Sequence, residues 1–382
     1  MIISRAFIRA YKSVFELAFP LDPKITTLIG ANESGKTNIL RALQAFSPSA
    51  PFDNSLTCQY SDYYYQGKSP EVALEFSQIS KENRRNLLRF SEAFKDNESF
   101  LIRRDGPALE NYHLFINEAE APLKEIDKLL LSLPKFLYFD SIPLLKSRAT
   151  LQDLMNGNEQ FRTERNLLHI GGISNPEIIF EDNTRGRRAS EEASRLITQQ
   201  IRRVWSQEPT IEVKLNVNGN ILYIDLSDGT TVFDTPESRS LGFRWYLSFY
   251  INFIAQTFEA RANDYFFLID EPGIHLHPAG QKDLAKIMED LAMKNQLIFT
   301  THSPFMINRE HPERVRLVSK DKDGTRVDSE AYRQNWKPLR SSIGLMVGDL
   351  FFFSERGVNA AAAPEKKFSF LRRSAKDAVE EK

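Results

Sequence analysis

Residues 30–37 read GANESGKT and follow an apolar run, Ile25–Ile29, that is typical of a β-strand. Apolar residues then recur at helical spacing from Ile39 to Phe46, which predicts a helix with one buried face. A glycine-bearing turn between a strand and a helix is the setting of a P-loop, in which backbone N–H groups surround phosphate oxygens. A glycine-rich turn without a ligand is the weaker interpretation, because the whole pattern stands in this setting. The stretch therefore predicts a phosphate-binding α/β domain.

The side chains of this turn predict which ligands it holds. Lys36 is expected to neutralise the charge of the β- and γ-phosphates, and the Thr37 hydroxyl is expected to ligate Mg²⁺ at the positive end of the helix. ATP and Mg²⁺ are thus the predicted ligands. The predicted nucleotide-binding residues of the turn are Gly30, Ala31, Asn32, Glu33, Ser34, Gly35, Lys36, Thr37 and Asn38.

A second motif, FFLIDE at Phe266–Glu271, is an apolar strand that ends in two carboxylates and has the form of a Walker B motif. Asp270 is expected to hold Mg²⁺ through water, while Glu271 stays free to orient the attacking water molecule. An apolar strand ending in Asp-Glu is common by itself, but a P-loop upstream favours the catalytic interpretation. Two acids indicate hydrolysis as well as binding of ATP.

A third motif, TTHSP at residues 300–304, ends the next predicted strand. Neighbouring parallel strands deliver their C-terminal ends to one crevice, so we expect His302 beside the same phosphates. A histidine satisfied in the core or on the surface is the alternative. His275 and His277 are compatible with a metal pair, but neither a cysteine nor a third ligand accompanies them.

Composition limits the class of protein. The 382 residues are 41% hydrophobic and 26% charged, as in an ordinary globular protein rather than a disordered or fibrous one. Lysine plus arginine (50) balances aspartate plus glutamate (51), so net charge does not indicate a nucleic-acid partner. A single cysteine, Cys58, excludes an internal disulfide framework. No apolar run reaches the roughly 20 residues of a membrane span, and the first residues lack the pattern of a signal peptide, so a cytoplasmic protein is expected.

Residues 141–207 are rich in charged residues and their pattern predicts mainly helices, so this segment is expected to be an insertion. From Thr210 to Phe233 apolar and polar residues alternate around Asn218-Gly219 and Asp228-Gly229, two pairs that favour type I′ turns. We expect a three-stranded meander there.

The strings GANESGKTNIL, FFLIDEPGIHLHP and QLIFTTHSPFMI resemble the ATPase heads of the OLD family and of its SMC and RecF relatives within the ABC class. The resemblance implies an α/β fold: an ABC-type P-loop NTPase head with a mixed central sheet, an N-terminal antiparallel β element and the helical insertion at about 141–207. The head is expected to occupy residues 1–350, with a C-terminal tail at 351–382. In such heads a switch histidine contacts the γ-phosphate, and His302 takes its place.

Ser240-Leu241-Gly242 takes the place of the ABC signature, just before a predicted long helix. In the family that serine and glycine meet the γ-phosphate bound by the other subunit, which implies a head-to-head dimer or a higher homo-oligomer. Leu241 stands where the signature usually has its first glycine, which puts the closeness of that contact in question. An ordinary N-capped helix is the alternative.

Three further positions follow from the resemblance. Lys12 falls where relatives place a basic residue near the phosphates, although a solvated charge at a strand end fits equally well. Gln59 is the candidate for the Q-loop glutamine. Residues 349–355 resemble the approach to the Toprim nuclease domain of full-length OLD proteins, but the pattern then stops, so no Toprim domain is recognised.

The resemblance favours an OLD-like ATPase that gates or drives a separate effector, most plausibly a nuclease in bacterial antiphage defence. A RecF- or SMC-like DNA-repair head that clamps DNA on binding ATP is the first alternative. A non-hydrolysing, nucleotide-switched scaffold is the second, and the presence of Glu271 argues against it. A transporter ATPase fits least, because residues 240–242 depart from the LSGGQ signature. The implied partners are a second copy of the chain, a nuclease and DNA, with no membrane.

Overall fold

A computed structural model describes residues 1–58, 69–140, 142–205, 208–229, 233–257 and 265–330 of the chain. Within those ranges no helix combines the length and the apolar character that crossing a membrane requires. The strands are β1 (Ile2–Tyr11), β2 (Val14–Pro20), β3 (Ile25–Ile29), β4 (Glu71–Ser77), β5 (Phe100–Arg104), β6 (Tyr112–Ile116), β7 (Ala119–Ala121), β8 (Lys135–Phe139), β9 (Arg148–Thr150), β10 (Glu212–Asn218), β11 (Ile221–Ser227), β12 (Tyr265–Ile269), β13 (Gln296–Thr301), β14 (Val315–Asp321) and β15 (Gly324–Asp328). The α-helices are α1 (Lys36–Gln44), α2 (Lys81–Leu87), α3 (Ile126–Ser132), α4 (Leu151–Met155), α5 (Arg162–Ile170), α6 (Glu177–Phe180), α7 (Thr184–Val204), α8 (Leu241–Thr257) and α9 (Pro278–Ala292).

The central sheet carries all three motifs. Its strand order is β15-β14-β3-β13-β12-β8, and every neighbouring pair runs parallel except β14 and β15. The sheet is therefore mixed, which confirms the predicted α/β fold of a P-loop NTPase head. Because β3, β13 and β12 lie side by side and parallel, their C-terminal ends meet at one edge of the sheet.

Both faces of this sheet are covered, which explains why β12 is an unbroken apolar run rather than an alternating one. Along β12, Phe266 and Leu268 enter the hydrophobic core that contains α1, whereas Phe267 and Ile269 enter the core formed with α8 and α9. All four side chains are fully buried. Burial of such a side chain contributes about 1.5–3 kcal/mol, so the Walker B strand is held firmly in place.

A second sheet, of order β2-β1-β4-β5-β6-β7, is antiparallel throughout. Its inner face packs on the side of α1 that faces away from the central sheet, and Ile8 and Leu74 belong to the same core as α1. This sheet is the predicted N-terminal antiparallel element. The helix that follows the P-loop is thus enclosed between two sheets.

The helical insertion contains α4 to α7 and packs on a third sheet of order β10-β11-β9. The predicted turn at Asn218-Gly219 is present, with Gly219 at φ 58°. The third strand of the predicted meander falls on residues 230–232, which lie outside the described residues, and next to them Asp234 forms an antiparallel bridge to Leu226. In the described residues the second strand that pairs with β11 is β9, which precedes the helices. Alternation of apolar and polar residues identifies a strand but not its partner, which here lies some 70 residues earlier. The boundary between a head and a tail at residue 350 stays a prediction, because residues 331–382 lie outside the described ranges.

Candidate nucleotide-binding site

The P-loop leaves the C-terminal end of β3 and returns into α1, which begins at Lys36. Gly35 is the N-cap residue with φ 102°, and Glu33 has φ 62°. These left-handed conformations turn the backbone at the helix N-terminus, where N–H groups and the helix dipole favour an anion. Ala31, Asn32 and Glu33 line the exposed side of the loop.

The two glycines at the ends of the motif are required by the hairpin formed by β14 and β15. A Cβ atom on Gly30 would lie 2.1 Å from the carbonyl oxygen of Val318, and one on Gly35 would lie 2.0 Å from Thr325 Oγ1. The hairpin therefore packs directly against the backbone of the P-loop. Ser34 Oγ is buried and has no hydrogen-bond partner among the described residues. A buried hydroxyl without a partner in this turn fits a loop that receives a phosphate.

The side chain of Lys36 is buried. Its ammonium group donates to the carbonyl oxygens of Gly30 at 3.0 Å and Ala31 at 2.9 Å. It also lies 3.3 Å from Glu271 Oε1. This ion pair joins the P-loop to the Walker B motif.

The carboxylate of Glu271 lies between the side chains of Lys36 and His302. Its Oε1 atom faces Lys36, and its Oε2 atom is 3.0 Å from His302 Nδ1. The residue has φ 47°, a conformation that costs a non-glycine residue about 1–3 kcal/mol and persists only where the surroundings enforce it. The structure thus brings together Lys36, Glu271 and His302, three residues that the sequence analysis predicted from three separate motifs.

Asp270 is fixed by hydroxyl groups on both of its oxygens. The Thr300 hydroxyl donates to Oδ1 at 2.6 Å, and the Tyr138 hydroxyl lies 3.4 Å from Oδ2. The backbone N–H of Asp270 donates to Phe139 O in the neighbouring strand β8 at 2.8 Å. A carboxylate held in this way offers the oxygen ligands that Mg²⁺ prefers.

Tyr138, Thr300 and Arg41 are residues that the sequence analysis missed. Burial raises the pKa of Tyr138 to about 12, with Asp270 contributing and Arg41 opposing, so the phenol stays neutral. Arg41 hydrogen-bonds Tyr138, and this contact raises its pKa. Two sequence signals could have indicated them: Tyr138 stands inside the apolar run of β8, and Arg41 lies one helical turn after Thr37.

Ser13 lies next to Lys12 in the turn between β1 and β2, and its hydroxyl connects this turn to α1 and β15. Asn38 Nδ2 donates to Ser13 Oγ at 2.7 Å, and Ser13 Oγ lies 2.8 Å from Thr325 Oγ1. Lys12 has φ 47° in this turn, and its pKa is lowered by burial and by Arg41. Gln59, the candidate Q-loop residue, lies outside the described residues.

The N-terminus of α8 carries Ser240 and Gly242. Ser240 Oγ accepts a hydrogen bond from the N–H of Phe243 at 3.2 Å, so it caps the helix. A Cβ atom on Gly242 would lie 2.3 Å from His275 O, so glycine is required by the segment that follows Walker B. His275 and His277 stand in that segment, and among the described residues no group of three or more His, Cys, Asp or Glu is arranged to hold a metal ion.

Comparison with known proteins gives a family for this arrangement. Residues 25–308 match the model of the AAA_21 family, described as "AAA domain, putative AbiEii toxin, Type IV TA system". The chain is 32% identical over 126 residues to Uncharacterized protein MJECL43 of Methanocaldococcus jannaschii, covering 31% of this chain and 32% of that protein. It is 38% identical over 58 residues to the OLD nuclease of Thermus scotoductus, covering 15% of this chain and 11% of the nuclease. The matched stretches thus span about a third and about a tenth of these relatives.

Two solved structures share the fold. The first, an SMC head bound to the C-terminal winged-helix domain of ScpA, has a TM-score of 0.52 at 17% identity and covers 86% of this chain and 97% of that one. The second, an SMC head with a coiled coil and joint from Pyrococcus yayanosii, has a TM-score of 0.50 at 15% identity and covers 89% and 99%. Since the family model spans most of the chain and carries the P-loop, the chain belongs to the AAA_21 family and is an ATP-binding P-loop NTPase domain with the fold of an SMC head.

Proposed function

We propose that this chain binds ATP with Mg²⁺ and hydrolyses it. The observation that carries the proposal is the position of Glu271 between Lys36 and His302, with Asp270 fixed beside it. A general base, a phosphate-binding lysine and a metal-binding carboxylate at one strand edge are the parts that phosphoryl transfer to water requires.

In this mechanism the side chains act on the terminal phosphate and on one water molecule. Lys36 would turn from the loop carbonyls to the β- and γ-phosphate oxygens, and Thr37 and Asp270 would hold the metal ion. Bound Mg²⁺ neutralises charge on the phosphates. Glu271 orients the water and accepts its proton while the new P–O bond forms and the bond to the β-phosphate oxygen breaks, which releases ADP and phosphate. His302 holds the Glu271 carboxylate and reaches the γ-phosphate.

We propose further that a second copy of the chain completes the site. Ser240 and Gly242 stand at the N-terminus of a 17-residue helix, which favours an anion, and would meet the phosphate bound by the partner. Leu241 and Ile274 are large apolar residues that are about half exposed, and the contact between Gly242 and His275 brings their two segments together. Such an apolar patch beside a phosphate site suits contact between two heads.

The effector in this proposal is a separate nuclease, and the biological role is defence against phage. Support comes from the family description, which names a toxin, and from the local similarity to an OLD nuclease. The partner is tested by isolating the tagged chain from its native host with a non-hydrolysable ATP analogue and identifying bound proteins. Recovery of no nuclease in either nucleotide state would remove this part of the proposal.

A DNA-clamping head is a second candidate, favoured by one observation. A cleft of about 820 Å³ between α7 and β10 is lined by four cations, Arg195, Arg202, Arg203 and Lys214, and by the single acid Glu212. A polyanion is the ligand that suits such a lining. DNA affinity that falls steeply with salt, and falls further in Arg203→Glu, would favour this candidate over the effector-gating one.

The binding of ATP is tested by calorimetry on Lys36→Ala. Loss of the charged contacts to phosphate is expected to weaken ATP affinity roughly 10- to 100-fold. The exposed Lys128→Ala variant on α3 serves as the control and should bind like the wild type. Circular dichroism checks folding, since Lys36 is buried. Unchanged ATP affinity in a folded Lys36→Ala protein would rule out this site.

A further inference from the structure

Helix α9 carries a buried amide side chain that the proposed mechanism does not use. Gln281 lies near the N-terminal end of α9 and is 8% exposed. Its Nε2 atom donates to the carbonyl oxygen of Gly273 at 2.9 Å, and its Oε1 atom accepts the Ser303 hydroxyl at 2.6 Å. Gln281 therefore joins two segments of the backbone, one that follows Glu271 and one that follows His302.

The direction of these hydrogen bonds is fixed by groups that can act in one way only. A carbonyl oxygen only accepts, so the amino group of Gln281 must face Gly273 and its oxygen must face Ser303. The Ser303 hydroxyl accepts the backbone N–H of Phe305 at 3.3 Å, which leaves its own proton for Gln281. The arrangement needs a donor and an acceptor at the end of one side chain. Glutamate lacks the donor, and methionine lacks both groups.

The turn after β13 sets the position of His302. The side chain of His302 is 44% exposed, so packing around the ring does little to fix it. The backbone that follows it is fixed by Ser303, whose N–H donates to Thr301 Oγ1 at 3.0 Å and whose hydroxyl donates to Gln281. His302 Nδ1 lies 3.0 Å from Glu271 Oε2. A movement of this turn therefore changes the distance between His302 and the proposed general base.

We propose that Gln281 is a positioning residue for ATP hydrolysis, which holds the turn after β13 so that His302 meets Glu271 and the γ-phosphate. The inference rests on the proposed function and adds to it a residue outside the ATP-binding motifs. A displacement of about 1 Å at a reacting group can slow a reaction roughly 100-fold, even when its cause lies far from the chemistry. Gln281 acts through Ser303 and His302, whereas the affinity for ATP depends on the P-loop.

The test compares the rate of phosphate release at saturating ATP with the affinity for a non-hydrolysable ATP analogue, both measured with Mg²⁺. Gln281→Met keeps the length of the side chain but removes the donor and the acceptor. We expect phosphate release to slow roughly tenfold, while the affinity for the analogue stays within about twofold of the wild type. Gln152→Met, at an exposed glutamine on α4, is the matched control and should change neither value. Thermal melts check that each variant is folded.

Ser303 gives a second approach to the same contact. Ser303→Ala removes the hydroxyl and should slow phosphate release to a similar extent. Ser303→Thr keeps the hydroxyl and should recover most of the rate. If Gln281→Met does not fold, this pair carries the test.

The His302→Ala background separates a positioning role from a general structural defect. A residue that acts through His302 has no further effect once the imidazole is absent, so adding Gln281→Met to His302→Ala should leave the rate of phosphate release unchanged. Wild-type release by folded Gln281→Met, a further tenfold loss on top of His302→Ala, or equal rates for Ser303→Ala and Ser303→Thr would overturn the role of Gln281. Absence of phosphate release by the wild-type chain would instead overturn the proposed hydrolysis, and this inference with it.

Discussion

Thr300 shows how one hydroxyl separates the tasks of two adjacent carboxylates. It donates to Asp270 Oδ1 at 2.6 Å and accepts from the backbone N–H of Glu271 at 2.7 Å. The first bond fixes Oδ1, while Oδ2, which lies 3.4 Å from the Tyr138 hydroxyl, keeps a second lone pair for the proposed metal contact. The second helps to hold Glu271 in its positive-φ conformation, which points the carboxylate at Lys36 and His302.

Residue roles could be predicted from the sequence where a motif fixes both residue type and spacing. Lys36, Glu271 and His302 were found in this way, and the structure brings them together. The contacts of Thr300 and Tyr138 depend on the register between strands that lie far apart in the sequence, which no local pattern encodes. The burial of Lys36 also could not be predicted, because it depends on the contact with Glu271, which lies far away in the sequence.

Glu164 on α5 provides a pH-dependent prediction. The side chain is fully buried, Oε1 accepts the N–H of Lys146 at 2.6 Å, and Oε2 has no partner among the described residues. Burial raises the pKa of this carboxyl above its ordinary value of 4.5. The folded state therefore binds the proton more tightly than the unfolded state, and stability is lost as the pH rises through the raised pKa.

We expect Glu164→Gln to melt at a higher temperature than the wild type at pH 8, because the amide keeps the acceptor without the charge. The difference should shrink as the pH falls to about 4.5. Thermal melts across this range are the measurement, with Glu191→Gln, an exposed glutamate on α7, as the control. A variant less stable than the wild type at pH 8 would disprove the role of buried charge.

At the scale of elements, Arg104 ties β5 to the end of the P-loop helix. The guanidinium is 1% exposed and stacks against the rings of Phe52 and Tyr112. It has no acidic partner in these contacts and instead donates to the backbone carbonyls of Ala45, Ser47, Ala50, Gly106 and Pro107. Ala45 is the C-cap of α1, where a positive charge complements the helix dipole.

Replacing Arg104 with methionine should therefore lower the free energy of unfolding by about 3 kcal/mol or more, because several buried carbonyls lose their donor. Arg104→Lys should recover part of the loss, since one ammonium cannot span the same carbonyls. Urea denaturation is the measurement, and the exposed Arg85→Met on α2 is the control. Equal stability of Arg104→Met and Arg85→Met would show that the clamp does not contribute.

Elements were predicted more reliably than their partners. The strands that carry the three motifs and the helix after the P-loop follow from apolar periodicity, and the structure contains all of them. The pairing of β9 with β11 and the packing of the β14–β15 hairpin behind Gly30 and Gly35 could not be predicted, because both are contacts between distant segments.

For the whole molecule, the fold class followed from the order of the motifs, since strand–P-loop–helix and a Walker B strand dictate a parallel arrangement at one edge. The insertion illustrates the limit of such reasoning. Its segment after β8 is bound to α8, with Leu145 N–H donating to Ser248 Oγ at 2.8 Å and Arg244 donating to Leu145 O at 3.1 Å. The insertion is thus part of the support of α8.

Assembly is the prediction that belongs to this scale. With ATP and Mg²⁺, Glu271→Gln should accumulate a dimer, because two heads joined through nucleotide separate only after hydrolysis. Light scattering with and without ATP measures the mass. The double variant Glu271→Gln/Ser240→Arg carries a bulky side chain at the N-terminus of α8, and with ATP it should have the same mass as Glu271→Gln has without ATP. A dimer that forms without ATP and is not disrupted by Ser240→Arg would contradict the proposed contact.

The most direct test of the account is the release of phosphate from ATP by the purified chain, compared with Glu271→Gln at saturating ATP and Mg²⁺. The account predicts steady release by the wild type and release slower by at least about 100-fold in the variant, because the amide cannot accept the proton of water. ATP should remain bound to the variant in the same experiment. Release at the wild-type rate by Glu271→Gln, or ATP binding by the wild type without any release, would contradict it.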